Sequence, residues 1–159
     1  MERASTPVLI RSAGRKDRST VERMSLDLLE EHRRTYCSDV IRGPATERHV
    51  KRNLRSHLRK GAVLVAEKQG STIGFVLLSR ARFVLRTSRP AGAITDIYVV
   101  PEERGQGVGT RLLRAGLDWL RGRGFQRVLL NVTAGNPARR LYERAGFRPF
   151  SESLEIVLD

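Results

Sequence analysis

Between Tyr98 and Gly109 the chain reads YVVPEERGQGVG. Gly105, Gly107 and Gly109 fall where an apolar extended run gives way to an amphipathic helix. Ala93 to Val100 reads as a strand, and Val108 to about Arg121 as a helix. A strand-to-helix loop of this kind leaves backbone N–H groups unpaired at a helix N-terminus, where the helix dipole also favours negative charge. Glycine lets that backbone approach an anion with no Cβ in the way, and Arg104 adds a positive charge at the mouth. The chemistry on offer is the holding of a phosphate or pyrophosphate. The spacing is not that of a nucleoside-triphosphate loop, because no Lys-Ser/Thr pair follows the last glycine. Nor is it a dinucleotide fingerprint: the glycines read G-x-G-x-G, and they fall late in the chain.

A second segment, Asn136-Pro137-Ala138-Arg139-Arg140-Leu141-Tyr142-Glu143-Arg144-Ala145-Gly146-Phe147, reads as a short helix. Asn136 directly before Pro137 is a strong N-cap, with proline at the first helical position. Ala138, Leu141, Tyr142 and Ala145 form a stripe at i, i+3, i+4 and i+7, so packing alone accounts for an aromatic there. The two segments together carry a resemblance. Arg104-Gly105-Gln106-Gly107-Val108-Gly109 resembles the R/Q-x-x-G-x-G/A loop of the GCN5-related N-acetyltransferase (GNAT) superfamily. Asn136 to Phe147 resembles that family's Asn, Ala, Tyr and Gly-Phe ending, and Ile97 to Glu102 its central strand and exit. The likeness is specific from about Ile73 to Phe150 and only permissive before that.

The resemblance implies an α/β protein with a single domain over residues 1–159. It implies a mixed, mostly antiparallel central sheet of six to seven strands flanked by about four helices. The implied activity is an N-acetyltransferase moving an acetyl group from acetyl-CoA to a primary amine by direct attack on the thioester. Backbone N–H groups of Arg104, Gly105, Gln106, Gly107, Val108, Gly109 and Thr110 would then take the pyrophosphate. The family's central strand splays from its neighbour, so main-chain groups of Ile97, Tyr98 and Val99 would pair with the pantetheine arm. An N–H near Val99 would polarise the thioester carbonyl, and Asn136 would also touch the arm. Tyr142, by its match to the family tyrosine, would protonate the departing thiolate. That transfer is only modestly uphill from a phenol of pKa ~10 to a thiol of ~8.5.

An attacking amine of pKa ~10.4 must first lose a proton. Asp96, on the central strand, is the candidate to take it, directly or through a water. Strict alternation puts Asp96 on the face of Tyr98, opposite Ile97 and Val99. The Asp96–Val99 stretch also looks like the acidic segment of polyamine and aminoglycoside-type members. A solvated carboxylate at a strand end, or one paired with an arginine, is the other reading of Asp96. Glu102 and Glu103 stand behind it as candidates.

These residues need a scaffold, and the patterning supplies one. Strands are predicted at residues 7–11, 62–67, 72–79, 93–100, 126–132, 147–150 and 154–158, with a turn at 68–71. Helices are predicted at 16–36, 45–60, 108–121 and 137–145. Ser19 or Thr20 would cap the first, and Gly61 would end the second. The run RFVLRTSRPAG after residue 81 is ambiguous. No internal repeat or linker appears.

The chain has 159 residues, 40% of them hydrophobic, which suits one domain with a sizeable core. No apolar run approaches the ~20 residues that span a bilayer, and the N-terminus has no signal-peptide h-region. Cys37 is the sole cysteine, which excludes an internal disulfide and fits a reducing cytoplasm, the expected location. No membrane partner is expected. His32, His49 and His57 lack ligand spacing with Cys, Asp or Glu, so no metal is expected, and the last two read as solvated. Lys and Arg outnumber Asp and Glu by 30 to 17, a formal charge of +13. Arg48, Arg52, Arg55 and Arg59 recur on one side of the second helix, a face for an acidic acceptor, an acidic partner or nucleic acid. The expected partner is a small-molecule or peptide amine, and the resemblance leaves a homodimer open. Two other function classes compete: a non-catalytic acyl-CoA-binding module and a basic, nucleic-acid-associated protein.

Overall fold

The computed structural model describes residues 7–36, 43–82 and 89–156. Cys37 and most of the ambiguous run after residue 81 lie outside them. Five strands, β1 (Leu9–Ser12), β2 (Val63–Lys68), β3 (Ser71–Arg80), β4 (Ala91–Val99) and β5 (Arg127–Leu129), form one sheet in sequence order. The first three pairings are antiparallel and β4–β5 is parallel. A two-residue turn joins β2 to β3, with Gln69 and Gly70 at φ 50° and 77°, both positive as a right-twisted hairpin requires. The helices are α1 (Arg18–Thr35), α2 (Pro44–Arg59), α3 (Val108–Arg121) and α4 (Arg139–Arg144). Pro44 occupies the first turn of α2, where its missing N–H costs nothing.

Side-chain alternation along the strands divides the core in two. Leu64, Ala66, Val76, Leu78 and Ile94 pack with Val108, Leu112, Leu113 and Leu120 of α3 and Tyr142 of α4. Val63, Val65, Phe75, Leu77 and Tyr98 pack on the other face with Val21 and Met24 of α1 and Leu54 of α2. Each fully buried Leu or Phe contributes about 1.5–3 kcal/mol. Gly92 brings α3 close to the sheet, since a Cβ there would stand 2.6 Å from a Leu120 methyl.

The start of α1 is held by charge. Asp17 is 3% exposed and meets Arg11 through two hydrogen bonds of 2.8 Å each. It also accepts the Gly14 N–H at 2.7 Å and the Thr72 hydroxyl at 3.3 Å. Arg11 holds the Asp17 pKa down to about 2, against 3.8 for an ordinary aspartate. A lowered folded pKa stabilises above the unfolded value, and the contribution is lost as pH falls from 3.8 towards about 2. Asp17→Asn is therefore expected to cost about 2 kcal/mol at neutral pH. Urea titrations of the two proteins between pH 7 and pH 2 should converge in acid. A constant gap would assign the loss to shape instead of charge.

The sheet has five strands among the described residues, not six to seven. Residues 147–150 and 151–156 form no strand. Pro149 lacks the N–H that a central ladder needs, and Leu154 and Ile156 are 96% and 80% exposed, with no layer to bury them. The strand expected at 126–132 pairs over only three residues. The Ser19 or Thr20 cap is also not used: Asp17 takes the N-cap position of α1 and spends its carboxylate on Arg11 and Gly14.

Candidate functional site

Strand β4 is paired with β5 only from Ala91 to Ala93. Immediately afterwards its register against β3 shifts, Leu77 facing Asp96 and Leu78 facing Ile94, so Thr95 is the extra residue of a bulge. A bulge bends and twists its strand, and β5 does not follow. The Val100 N–H donates to the Ile73 carbonyl at 3.0 Å, so backbone alternation turns Tyr98 toward β3 as well. Ile97 and Val99 then present their main-chain groups on the opposite, open side.

The chain leaves this open edge through a tight helical turn, Pro101–Glu103, which Lys68 pins through hydrogen bonds of 2.8 and 3.0 Å to the Glu103 carboxylate. The loop that follows places Gly105 and Gly107 at φ 75° and 80°, the left-handed region that a side chain rarely adopts. The first bond into α3 runs from the Arg111 N–H to the Gly107 carbonyl at 3.1 Å. The N–H groups of Gly105, Gln106, Gly107, Val108, Gly109 and Thr110 donate to no acceptor among the described residues. Six consecutive donors at the head of a fourteen-residue helix make a candidate anion cradle.

Arg104 departs from the expectation for it. Its N–H is engaged by the Pro101 carbonyl at 3.2 Å, so the run of open donors begins at Gly105. Its guanidinium is also committed, to Glu31 on α1 at 2.7 and 2.9 Å and to the Val99 carbonyl at 2.8 Å. It lies 5.3 Å from the Tyr98 ring centre. Arg104 thus fixes the loop to α1 and β4 instead of standing free at the mouth. Glu31 carried no signal in the sequence, because only the packing of α1 brings it to the loop.

Tyr142 is 8% exposed, edge-on to Phe147 with ring centres 6.1 Å apart. Its hydroxyl makes no hydrogen bond with a described residue, and burial together with the Asp96 charge raises its pKa above 10.0. The phenol therefore keeps its proton through neutral pH. Asn136 caps the following turn, its side-chain oxygen accepting the Ala138 N–H at 2.9 Å.

Asp96 is half-buried and shares the face of Tyr98, as alternation from the bulge onward requires. Burial raises its pKa above 3.8, while His57 and the Thr95 hydroxyl oppose the shift. The paired-with-arginine reading finds no support, since no ion pair joins Asp96 to a described arginine. His57 overturns its expected place on a solvated face. It is 9% exposed, one turn beyond Leu54 on the side of α2 that meets the sheet. The signal was present in the sequence: His57 lies on the same arc as Val50, Leu54 and Leu58. His49 is exposed, and His32 meets the Thr133 hydroxyl at 3.2 Å. Arg48, Arg52, Arg55 and Arg59 are all exposed on the other side of α2. Among the described residues no cluster of His, Cys, Asp or Glu could hold a metal ion, and no helix is long and apolar enough to cross a membrane.

A two-faced sheet with an open central-strand edge and an anion cradle at its exit defines a class of fold, and comparison with known proteins names it. Residues 26–147 match the model of the acetyltransferase (GNAT) family, and the chain belongs to that family. A mycothiol acetyltransferase of Thermobispora bispora is 41% identical over 87 residues, 52% of this chain and 28% of that protein. An uncharacterized N-acetyltransferase of Archaeoglobus fulgidus is 33% identical over 90 residues, 56% of this chain and 61% of that one. The chain thus spans between 28% and 61% of these two relatives. The crystal structure of a predicted acetyltransferase with acetyl-CoA from Clostridium acetobutylicum has the same fold. It superposes with a TM-score of 0.76 at 20% identity, covering 95% of this chain and 96% of that one.

Proposed function

We propose that residues 1–159 form one acetyltransferase domain that moves an acetyl group from acetyl-CoA to a primary amine by direct attack on the thioester. The observation that carries this reading is the run of six unpaired N–H donors from Gly105 to Thr110 beside the open edge of β4. The cradle fits a pyrophosphate in charge and in number of donors. The main-chain groups of Ile97 and the N–H of Val99 fit the amide groups of a pantetheine arm, with the Val99 N–H toward the thioester carbonyl, while the Val99 carbonyl is taken by Arg104. Asn136 caps the turn that leads into α4, and Leu141 of that helix lies beside Gly109 of the loop. Acetyl-CoA would supply the activated acetyl group.

The side chains account for the protons. Asp96, half-buried and with its pKa raised above the ordinary carboxylate value, takes a proton from the acceptor amine. Tyr142, which holds its proton at neutral pH, gives it to the departing sulfur. The Asp96 charge acts on Tyr142, so the carboxylate and the phenol lie within electrostatic reach of one another. The acceptor is an amine in this reading; the names of the matched relatives, one for mycothiol and one unspecified, narrow it no further.

Purified protein is expected to bind acetyl-CoA and to release free CoA thiol when offered a panel of polyamines, aminoglycosides, amino acids and peptide N-termini. Thiol release with a stoichiometric N-acetyl product, seen by mass spectrometry, supports the reading. Binding without turnover on any amine would make the chain a non-catalytic acyl-CoA-binding module.

A further inference from the structure

Arg48, Arg52, Arg55 and Arg59 of α2 take no part in the site described above. On a 3.6-residue wheel they lie within about 60° of one another, and all four are exposed. Leu54 and His57, the buried residues of the helix, lie on the opposite side, where α2 meets the sheet. The stripe therefore points away from β4 and the glycine loop, and it does not line the place where an acceptor meets a thioester. None of the four guanidinium groups meets a described carboxylate, although Arg11, Arg18, Arg33, Arg104, Arg121 and Arg139 each do. Like charges at i, i+4 repel on a helix, and Glu47 is the only acid that α2 contains. A basic row without acidic partners, in a chain of net charge +13, is shaped to meet an anion from outside.

Positive charge does not stop with the helix. The Trp119 indole N–H donates to the Gly61 carbonyl at 2.9 Å, two residues beyond Arg59, and this bond ties the last turn of α3 to the end of α2. The Arg123 guanidinium lies 3.4 Å from the centre of the Trp119 ring, a cation stacked on an aromatic face. Lys60 and Arg123 are both exposed, so the basic face continues past Arg59. The carbonyls that end α2 are occupied: His57 accepts from the Lys60 and Ala62 N–H groups at 3.1 and 2.9 Å, and Leu58 from the Gly61 N–H at 3.1 Å. They leave no bare acceptor to repel an anion. Trp119 stands on α3 about 18 Å along the axis from Gly107, so this end is remote from the glycine loop.

We propose that this face binds nucleic acid, the arginine row of α2 lying along the phosphate backbone of a duplex. Arg48 to Arg59 span about 17 Å of helix at about 1.5 Å per residue, opposite about five phosphates of one strand at about 3.4 Å each. An acidic protein surface offers scattered carboxylates, whereas a duplex offers anions in a continuous, evenly spaced row. Arginine suits that row, since its planar fork holds phosphate oxygens through two charge-assisted hydrogen bonds. Contacts of this kind position a duplex without reading its sequence, and the counterions they release supply the free energy. The inference goes beyond acetyl transfer and does not depend on it, because the face is separate from the glycine loop.

Fluorescence anisotropy of a labelled DNA duplex of about 20 base pairs, titrated with the full chain at several salt concentrations, tests this. The duplex is expected to bind in the micromolar range or tighter. Log K should fall with log salt at a slope of about −4, from about −0.9 for each phosphate neutralised. Arg52→Gln combined with Arg55→Gln should make the slope shallower by about 2. Arg23→Gln combined with Arg114→Gln, at exposed positions off the stripe, removes the same net charge and should change the slope by less than about 0.5. Trp119, the sole tryptophan, gives a second readout: its emission is expected to change as duplex is added to the wild type. No binding in about 50 mM salt, equal losses in the two double variants, or an unchanged Trp119 signal overturns the proposal. Displacement of the duplex by polyglutamate as readily as by unlabelled duplex would make the face an acidic-protein surface. Displacement by acetyl-CoA would put the phosphates in the glycine loop. Either result also overturns it.

Discussion

Gly107→Val is expected to lower acetyl-CoA affinity about 10²-fold or more while the protein still unfolds cooperatively. Space is not the obstacle, because a Cβ at Gly107 would meet nothing within 4 Å. The backbone is: Gly107 sits at φ 80°, and a β-branched residue there is strained by about 1–3 kcal/mol. The loop would relieve that strain by rotating, which turns the N–H groups of Gly107 and Val108 out of the cradle. A hydrogen bond to a charged group contributes about 1.5–3 kcal/mol, and each 1.4 kcal/mol is about tenfold in affinity. Losing one or two such bonds therefore gives the stated effect. Calorimetric titration with acetyl-CoA measures it. Acetyl-pantetheine, which lacks the pyrophosphate, is the control and should bind both proteins alike. Undiminished acetyl-CoA binding by a folded Gly107→Val protein would remove the pyrophosphate from this loop.

Tyr142→Phe is expected to lower turnover about 10²-fold, with acetyl-CoA affinity and thermal stability nearly unchanged. Phenylalanine keeps the edge contact with Phe147 and the packing against α3 and the sheet. The variant therefore removes only a hydroxyl that bonds to no described residue. Loss of a general acid falls in the range of about 10²–10⁴-fold. The pKa is raised above 10.0 by burial and by the Asp96 charge, so the acid form persists below that value and is lost only as pH rises through it. The wild-type rate should fall at strongly alkaline pH, and the variant should lack that limb. A rate and profile equal to the wild type would leave Tyr142 as packing, with the sulfur leaving unassisted.

The candidate site was legible where its geometry depends on local backbone. Gly105 and Gly107 need positive φ, which almost only glycine adopts cheaply, so the loop announced itself by residue type and spacing. Helix α3 begins and ends where its periodicity and its flanking glycines place it, because an apolar arc on one side is a local property. Asn136 before Pro137 caps the turn it opens, through the bond to Ala138, although α4 itself begins at Arg139 with Ala138 as its N-cap.

What only the tertiary structure decided involves partners distant in sequence. Arg104 looked like a free cation because nothing near it in the chain is a partner. Glu31, 73 residues earlier, reaches it once α1 lies across the sheet. His57 looked solvated in an arginine-rich helix, and its burial depends on which side of α2 meets β3 and β4. The Thr95 bulge and the early end of the β4–β5 pairing set the open edge, and neither has a mark in the strand's own composition, since both are relations between neighbours. The last strands went the other way: apolar residues at 147–158 satisfy the local pattern, yet after Phe147, which packs on Tyr142, Phe150, Leu154 and Ile156 stay exposed. Periodicity states which face an element would bury, but the presence of something to bury it against is a property of the whole chain.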